Sequence, residues 1–148
     1  MFENVTTLLD KAIALNETIA WKLSIDNGVQ KRIVELNTID QMYNKGIDAL
    51  GDSLGDYSQV SVEVYGKRAG HIQLKDGGEF YDSFVVLVLD DSFIIRANTI
   101  KNDSIKGDVD LTTRFGDDII GLTEENRDII TELIMKNIVK YVKQQLNV

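Results

Sequence analysis

Apolar side chains recur at Val5, Leu8, Leu9, Ala12, Ile13, Ile19, Ala20 and Leu23, the spacing of one helical face. This pattern predicts an amphipathic helix from about Glu3 to Leu23, ended at "SIDNG". A looser set, Ile33, Leu36, Ile39 and Met42, predicts a helical or irregular segment from Val29 to about Tyr43. Between Asn44 and Gly78 the periodicity dissolves into Gly, Asp and Ser. The brief alternation Val60, Val62, Val64 would suit an edge strand, but the whole stretch reads as a long extended loop. Loops of that length inside one domain are usually functional or are ordered by a partner.

The pattern then changes abruptly. Phe84 to Leu89 is continuously apolar, as in a strand buried on both faces. "DD" at Asp90 and Asp91 separates it from a second strand-like run, Ser92 to Asn98, and the two predict a β-hairpin. "TIKNDSIKGD" reads as a polar connector. "VDLTTRFG" follows as a short helix stopped by Gly116. The last element is the clearest. Thr123 is a good N-cap, and Glu124 and Glu125 stand where the helix dipole favours acids. Ile129, Ile130, Leu133, Ile134, Ile138, Val142 and Leu146 form a broad apolar face, with Lys136, Lys140 and Lys143 in the later turns.

These elements define a fold class: one α+β domain over 1–148. It has an N-terminal helix, a central β-hairpin or small antiparallel sheet with a long irregular loop (about 44–78), and a C-terminal amphipathic helix packed on the sheet. A chain of 148 residues suits one domain with a real core. With no proline, its turns fall to Gly, Asn and Asp, as in "DNG", "NKG", "DGG" and "FGDD".

Charge narrows the function. A formal net charge of −8 argues against a general nucleic-acid binder, which needs a basic stripe against phosphates. Such acidity aids solubility, and it also suits a wall past which DNA must slide without sticking. The absence of cysteine excludes disulfides and thiolate metal sites. The first residues lack the basic start and cleavage site of a signal peptide. No apolar run is long enough for a bilayer. The expectation is a protein made in a cytoplasm with no membrane partner.

Catalytic chemistry finds little foothold. His71, the single histidine, lies in "KRAGHIQLKD", outside any nucleophile motif, and reads as an exposed loop residue. "DGGEFYD", "GDVD" and "GDD" lack the calcium-loop spacing and its closing Glu, and read as solvated turns. No phosphate-cradling glycine motif is present, and no carboxylate pair stands out. Trp21 reads as core or interface. "YGKRAG" with His71 gathers basic groups on one loop. No catalytic, cofactor-binding or metal-ligating residue is assigned.

Four segments, taken in order, carry a resemblance: "LNTIDQMYNKGID", "LGDYSQVSVEVYGKRAG", "IQLKDGGEFYDSF" and "RFGDDIIGLTEEN" before a terminal amphipathic helix. Together they resemble a family of small morphogenesis proteins of tailed phages, especially those of Bacteroides-like hosts. More distantly the chain is similar to tail-completion or neck proteins of long-tailed phages. The resemblance runs from about Ile33 to Val148; Gly77 replaces a usual Thr, and the "P-F" that follows the E-F-G segment of the distant relatives is missing.

The resemblance implies a virion structural protein without catalytic role, made in the host cytoplasm. It would be a ring or adaptor subunit at the head–tail junction. Expected partners are further copies of the chain, the portal or connector and the tail, with DNA only as cargo through the channel. Candidate interface residues are Tyr57, Lys67, Arg68, His71, Phe80, Tyr81, Arg114 and Phe115. A second reading is a small acidic adaptor or inhibitor docking on a basic partner, and a third is a small hydrolase whose carboxylates converge only in the fold. Gly77 and Gly78 read as a turn that launches a short helical step over Glu79–Tyr81, with Phe80 and Phe84 anchoring the chain to the core as it enters the strand.

Overall fold

Short polar side chains set the starts of the helices in the computed structural model, which describes residues 5–7, 10, 16–103 and 105–148. Residues 5–7 and 10 are helical; the remainder of the first predicted helix before Asn16 lies outside the described residues. The single helix expected from Glu3 to Leu23 is corrected: Asn16 is extended (φ −105°, ψ 117°), accepts from Ile19 N at 3.1 Å and opens a separate α1 (Glu17–Ser24). Asp26 accepts from Val29 N at 2.9 Å and opens α2 (Asn27–Glu35). Each such cap satisfies an otherwise orphaned N–H and is worth about 1 kcal/mol. Without a break, α2 continues into a π-helix over Leu36–Lys45, closed by Gly46 in the left-handed conformation at φ 64°.

The long loop follows. Ser58 caps a single turn, α3 (Gln59–Glu63), so the Val60–Val62–Val64 alternation marks a helix and not an edge strand. Among the described residues no neighbouring strand pairs with it, and the cap decides the local conformation. The rest of the stretch is irregular, as expected, but it is not detached. Isolated bridges join Ile47 to Ser53 and Asp56 to His71, and Leu54 and Ile72 are buried in the core.

The Gly-Gly turn behaves as predicted. Gly78 at φ 100° caps α4 (Glu79–Asp82), which delivers the chain into β1 (Val85–Val88). β1 pairs antiparallel with β2 (Phe93–Arg96), with Val86 opposite Ile95 and Leu87 opposite Ile94. The expectation of a strand buried on both faces is corrected. Val86, Val88, Phe93 and Ile95 face the core, while Val85, Leu87, Leu89 and Ile94 are exposed. A two-stranded sheet has one layer of helix behind it and none in front, so half of the apolar run stays in contact with solvent.

The connector is corrected too. It forms a second antiparallel hairpin, β3 (Ile100–Asp103) with β4 (Gly107–Asp110). Its strands are too short and polar for an alternation to show, and Asp103 ties its turn by accepting from the N–H groups of Ile105 and Lys106. Then come α5 (Leu111–Phe115), stopped by Gly116, a 3₁₀ turn (Asp117–Ile119) and α6 (Glu124–Leu146), capped by Thr123.

The fold is therefore α+β, with the long terminal helix against the strands. Asn137 reaches Ser24 O at 2.8 Å and Asn126 reaches Leu36 O at 3.5 Å, so the α1–α2 segment runs antiparallel along α6. Two apolar clusters result. Ile25, Val29, Ile33, Leu36, Leu122, Ile130 and Ile134 join helices to hairpin, with Trp21 packed beside them. Met42, Leu54, Ile72, Phe80, Tyr81, Phe84, Leu111 and Ile119 form the second, and Ile95 touches both. Among the described residues no helix is long and apolar enough to cross a membrane.

Candidate interaction surface

The base of the surface is a buried amide clasp. Leu36, Asn37, Thr38, Gln41 and Met42 are the buried positions of the π-helix. Wound at 100° per residue they would spread over about 240°. The wider i→i+5 turn gathers them onto one side, which is the structural use of this rare winding here. Asn37 Nδ2 donates to Ile119 O at 3.0 Å, and its oxygen accepts from Gly121 N at 2.8 Å. Gln41 Nε2 donates to Gly121 O, and its oxygen accepts from Thr123 N and from Asn126 Nδ2, each at 2.9 Å. Two side chains thus serve the backbone that connects the 3₁₀ turn to α6. Gly121, at φ 151°, gives that backbone its path, with an added Cβ only 3.0 Å from Ala49. At the rim Lys45 bridges Asp40 at 3.1 Å and Glu125 at 3.6 Å; the hydrogen bond it donates to Asp40 is the main cause raising its pKa.

On this base the long loop is fixed at both ends. Where the π-helix stops, Tyr43 O accepts from Gln73 Nε2 at 3.1 Å and contacts His71 Nε2 at 2.8 Å. A carbonyl only accepts, so Nε2 of His71 carries a proton. The ring lies against Gly46, where an added Cβ would meet it at 2.5 Å. Gln73 N donates to Tyr57 Oη at 3.3 Å, and Tyr81 Oη donates to Gln73 O. Burial, with Tyr57 and Tyr43 nearby, pushes the Tyr81 phenol well above its usual range. Farther out, Asp76 is held between Lys101 and Lys67, which keep its carboxyl below the usual carboxylate range. The Lys67 ammonium also stands 5.9 Å from the Tyr57 ring.

The sequence candidates divide accordingly. Tyr57, Lys67 and His71 do converge, around Gln73 and Tyr43. Arg114 stacks 5.0 Å over Phe115 on α5, and Phe115 packs against the second core cluster. As interface candidates Phe80 and Tyr81 are corrected, since at 8% and 7% exposure both are core residues; the expectation that Phe80 and Phe84 anchor the chain to the core holds. Their aromatic rings close the cluster, Phe80 packing edge-on to Phe84 at 5.1 Å. His71 is half-buried and structural, not an exposed loop residue. Arg68 is exposed.

Residues of the 44–78 loop outside the candidate interface set supply the outer surface. Val60, Val64 and Tyr65 are 60%, 68% and 65% exposed on and just after α3, beside Arg68 in the chain. The hidden signal was helical: Val60 and Val64 are four apart, one turn of a helix. Among the described residues no group of three or more His, Asp or Glu side chains is placed to hold a metal ion. No protein-family model, curated protein or solved structure matches the chain.

Proposed function

We propose that the chain is a virion structural protein, a subunit of an oligomeric ring or adaptor at the head–tail junction of a tailed phage. It would link portal-side and tail-side components around the DNA channel. Support comes first from the motif order, because the resembling segments coincide with structural units. "LNTIDQMYNKGID" contains the π-helix, "IQLKDGGEFYDSF" the turn and α4, and "RFGDDIIGLTEEN" the 3₁₀ turn and the cap of α6. The observation that carries the reading is the loop. It is held at its base by His71, Gln73, Tyr57 and Asp76, yet presents Val60, Val64 and Tyr65 to solvent. An apolar group on a rigid mount is what a protein partner recognises.

A ring needs two different patches on each subunit and a rotation that closes. The test is co-production with the products of flanking genes, followed by native mass spectrometry and negative-stain imaging. The expected result is a closed ring or a complex with a portal or tail component, in which proteolysis of the Gly66–Gly70 stretch is suppressed. Flanking genes unrelated to capsid, portal or tail, together with no complex formed, would overturn the proposal.

A further inference from the structure

The face of α6 that points away from the core has an unusual order. Its first turns carry Glu125, Asp128 and Glu132, and its later turns carry Lys136, Lys140 and Lys143, all exposed. Between and beside them Met135 and Val139 are 53% and 47% exposed. Among the described residues no acidic side chain lies within ion-pair distance of those three lysines. The helix dipole accounts for acids first and bases last. It does not account for two apolar side chains left in solvent where the charge changes sign.

We infer that this face binds a second copy of the same chain, with the two α6 helices packed antiparallel across a two-fold axis. The charge order is the reason. Glu132 and Lys136 stand two residues either side of position 134, Asp128 and Lys140 six, and Glu125 and Lys143 nine. Reversing the helix about that point sets each acid at the height of a partner base. At 100° per residue Glu125 and Lys143 project in the same direction, and Glu132 and Lys136 lie about 40° apart, so these pairs fall on one flank of the contact. Asp128 lies within about 20° of both Met135 and Val139 and so faces the contact, whereas Lys140 is turned about 120° away from it and adds only to the long-range balance.

Met135 sits beside the axis and meets its own copy, with Val139 next to it. A parallel pairing would instead oppose acid to acid and base to base, and is disfavoured by the same charges. One helix pair about 34 Å long lies near the small end of stable interfaces, so the dimer is weak and salt-sensitive. This pairing is isologous and independent of the ring reading; either can fail alone.

The test uses the full chain and its lack of cysteine. Sedimentation at about 100 μM protein should show a monomer–dimer equilibrium that weakens as salt is raised. Lys136→Glu sets acid against acid at two symmetric places and should weaken the dimer by about tenfold or more, while Glu132→Lys with Lys136→Glu restores it. Under mild oxidation Met135→Cys should form an inter-chain disulfide far faster than Thr113→Cys on the exposed side of α5. Circular dichroism checks that each variant stays folded. A strict monomer at that concentration, a dimer indifferent to Lys136→Glu, or equal cross-linking at the two cysteine positions would each overturn the inference.

Discussion

Replacing Gln41 by alanine tests the claim that the amide clasp, and not the apolar clusters alone, fixes α6 onto the π-helix. Gln41 is 0% exposed and makes three hydrogen bonds, to Gly121 O, Thr123 N and Asn126 Nδ2. Truncation leaves two partly buried main-chain groups, Gly121 O and Thr123 N, without this partner, each costing about 1–2 kcal/mol. The Asn126 amide keeps Asp40 at 3.2 Å and suffers less. Lost packing of the side-chain methylene adds about 1 kcal/mol.

The expected loss is therefore about 3–5 kcal/mol, a large share of the roughly 5–15 kcal/mol that holds a domain folded. Urea unfolding followed by Trp21 fluorescence would measure it, with a matching fall in Tm of roughly 10 °C. Gln41→Leu fills the volume but cannot bond, and should retain about 3 kcal/mol of the loss. With Asn126→Ala the double variant should cost about 1 kcal/mol less than the sum, because the two amides share a bond. A loss below about 1 kcal/mol for both Gln41 variants, or strict additivity, would falsify the clasp as a stabilising unit.

Gly46→Ala should destabilise by about 2 kcal/mol or more, combining a left-handed backbone with a collision against the His71 ring. His71→Ala beside it should recover part of that loss in the same unfolding assay. Asp76 gives a pH signature. Its folded-state pKa is depressed by Lys101 and Lys67, so its stabilisation is complete above the unfolded value of about 3.9 and disappears as pH falls through the folded one. Because the site is partly exposed the effect is small, and Asp76→Asn should flatten the urea midpoint between about pH 5 and pH 2 relative to the parent. Ile33→Ala, at a side chain 0% exposed, should cost about 2–5 kcal/mol. Val64→Asp should change stability by less than about 0.5 kcal/mol while abolishing assembly in the co-production experiment.

How much of this was legible depended on the range over which each signal acts. Helix caps are local, and Thr123 reads as one from its neighbours; Asp26 and Asp110 cap helices too, but read as part of a turn and of a helix. The turn at Gly78 and the step into β1 are likewise local, and the sequence predicts both. The outward face of β1 was not legible, because an unbroken apolar run looks the same whether one or two layers cover it. The second hairpin left no pattern, since strands of four residues with polar partners show no alternation beyond chance. Phe80 was legible as a core anchor, but both it and Tyr81 also stood as interface candidates, because an aromatic pair after a glycine turn reads equally as a surface anchor or a core plug. Only the packing of Leu54, Ile72 and Leu111 around them decides it.

The clasp shows why the candidate surface was harder to read than the fold. Asn37 and Gln41 are ordinary polar residues in a sequence, and under 3.6-residue winding their neighbours Leu36 and Met42 would point elsewhere. Only the π-helix brings polar and apolar positions to the same side, and only the backbone at Ile119–Thr123, some eighty residues away, gives the amides their partners. Each requirement explains the other. A buried amide without a partner is costly, so the winding persists where two amides find four main-chain groups between them. The rigid base so formed holds the end of the π-helix, and that end holds His71 and Gln73 through one carbonyl. The exposed turn at Val60–Tyr65 therefore sits on a mount that begins in the core. If the loop is an interaction surface, substitutions at Gln41 should weaken assembly without touching the surface, in proportion to the stability they remove.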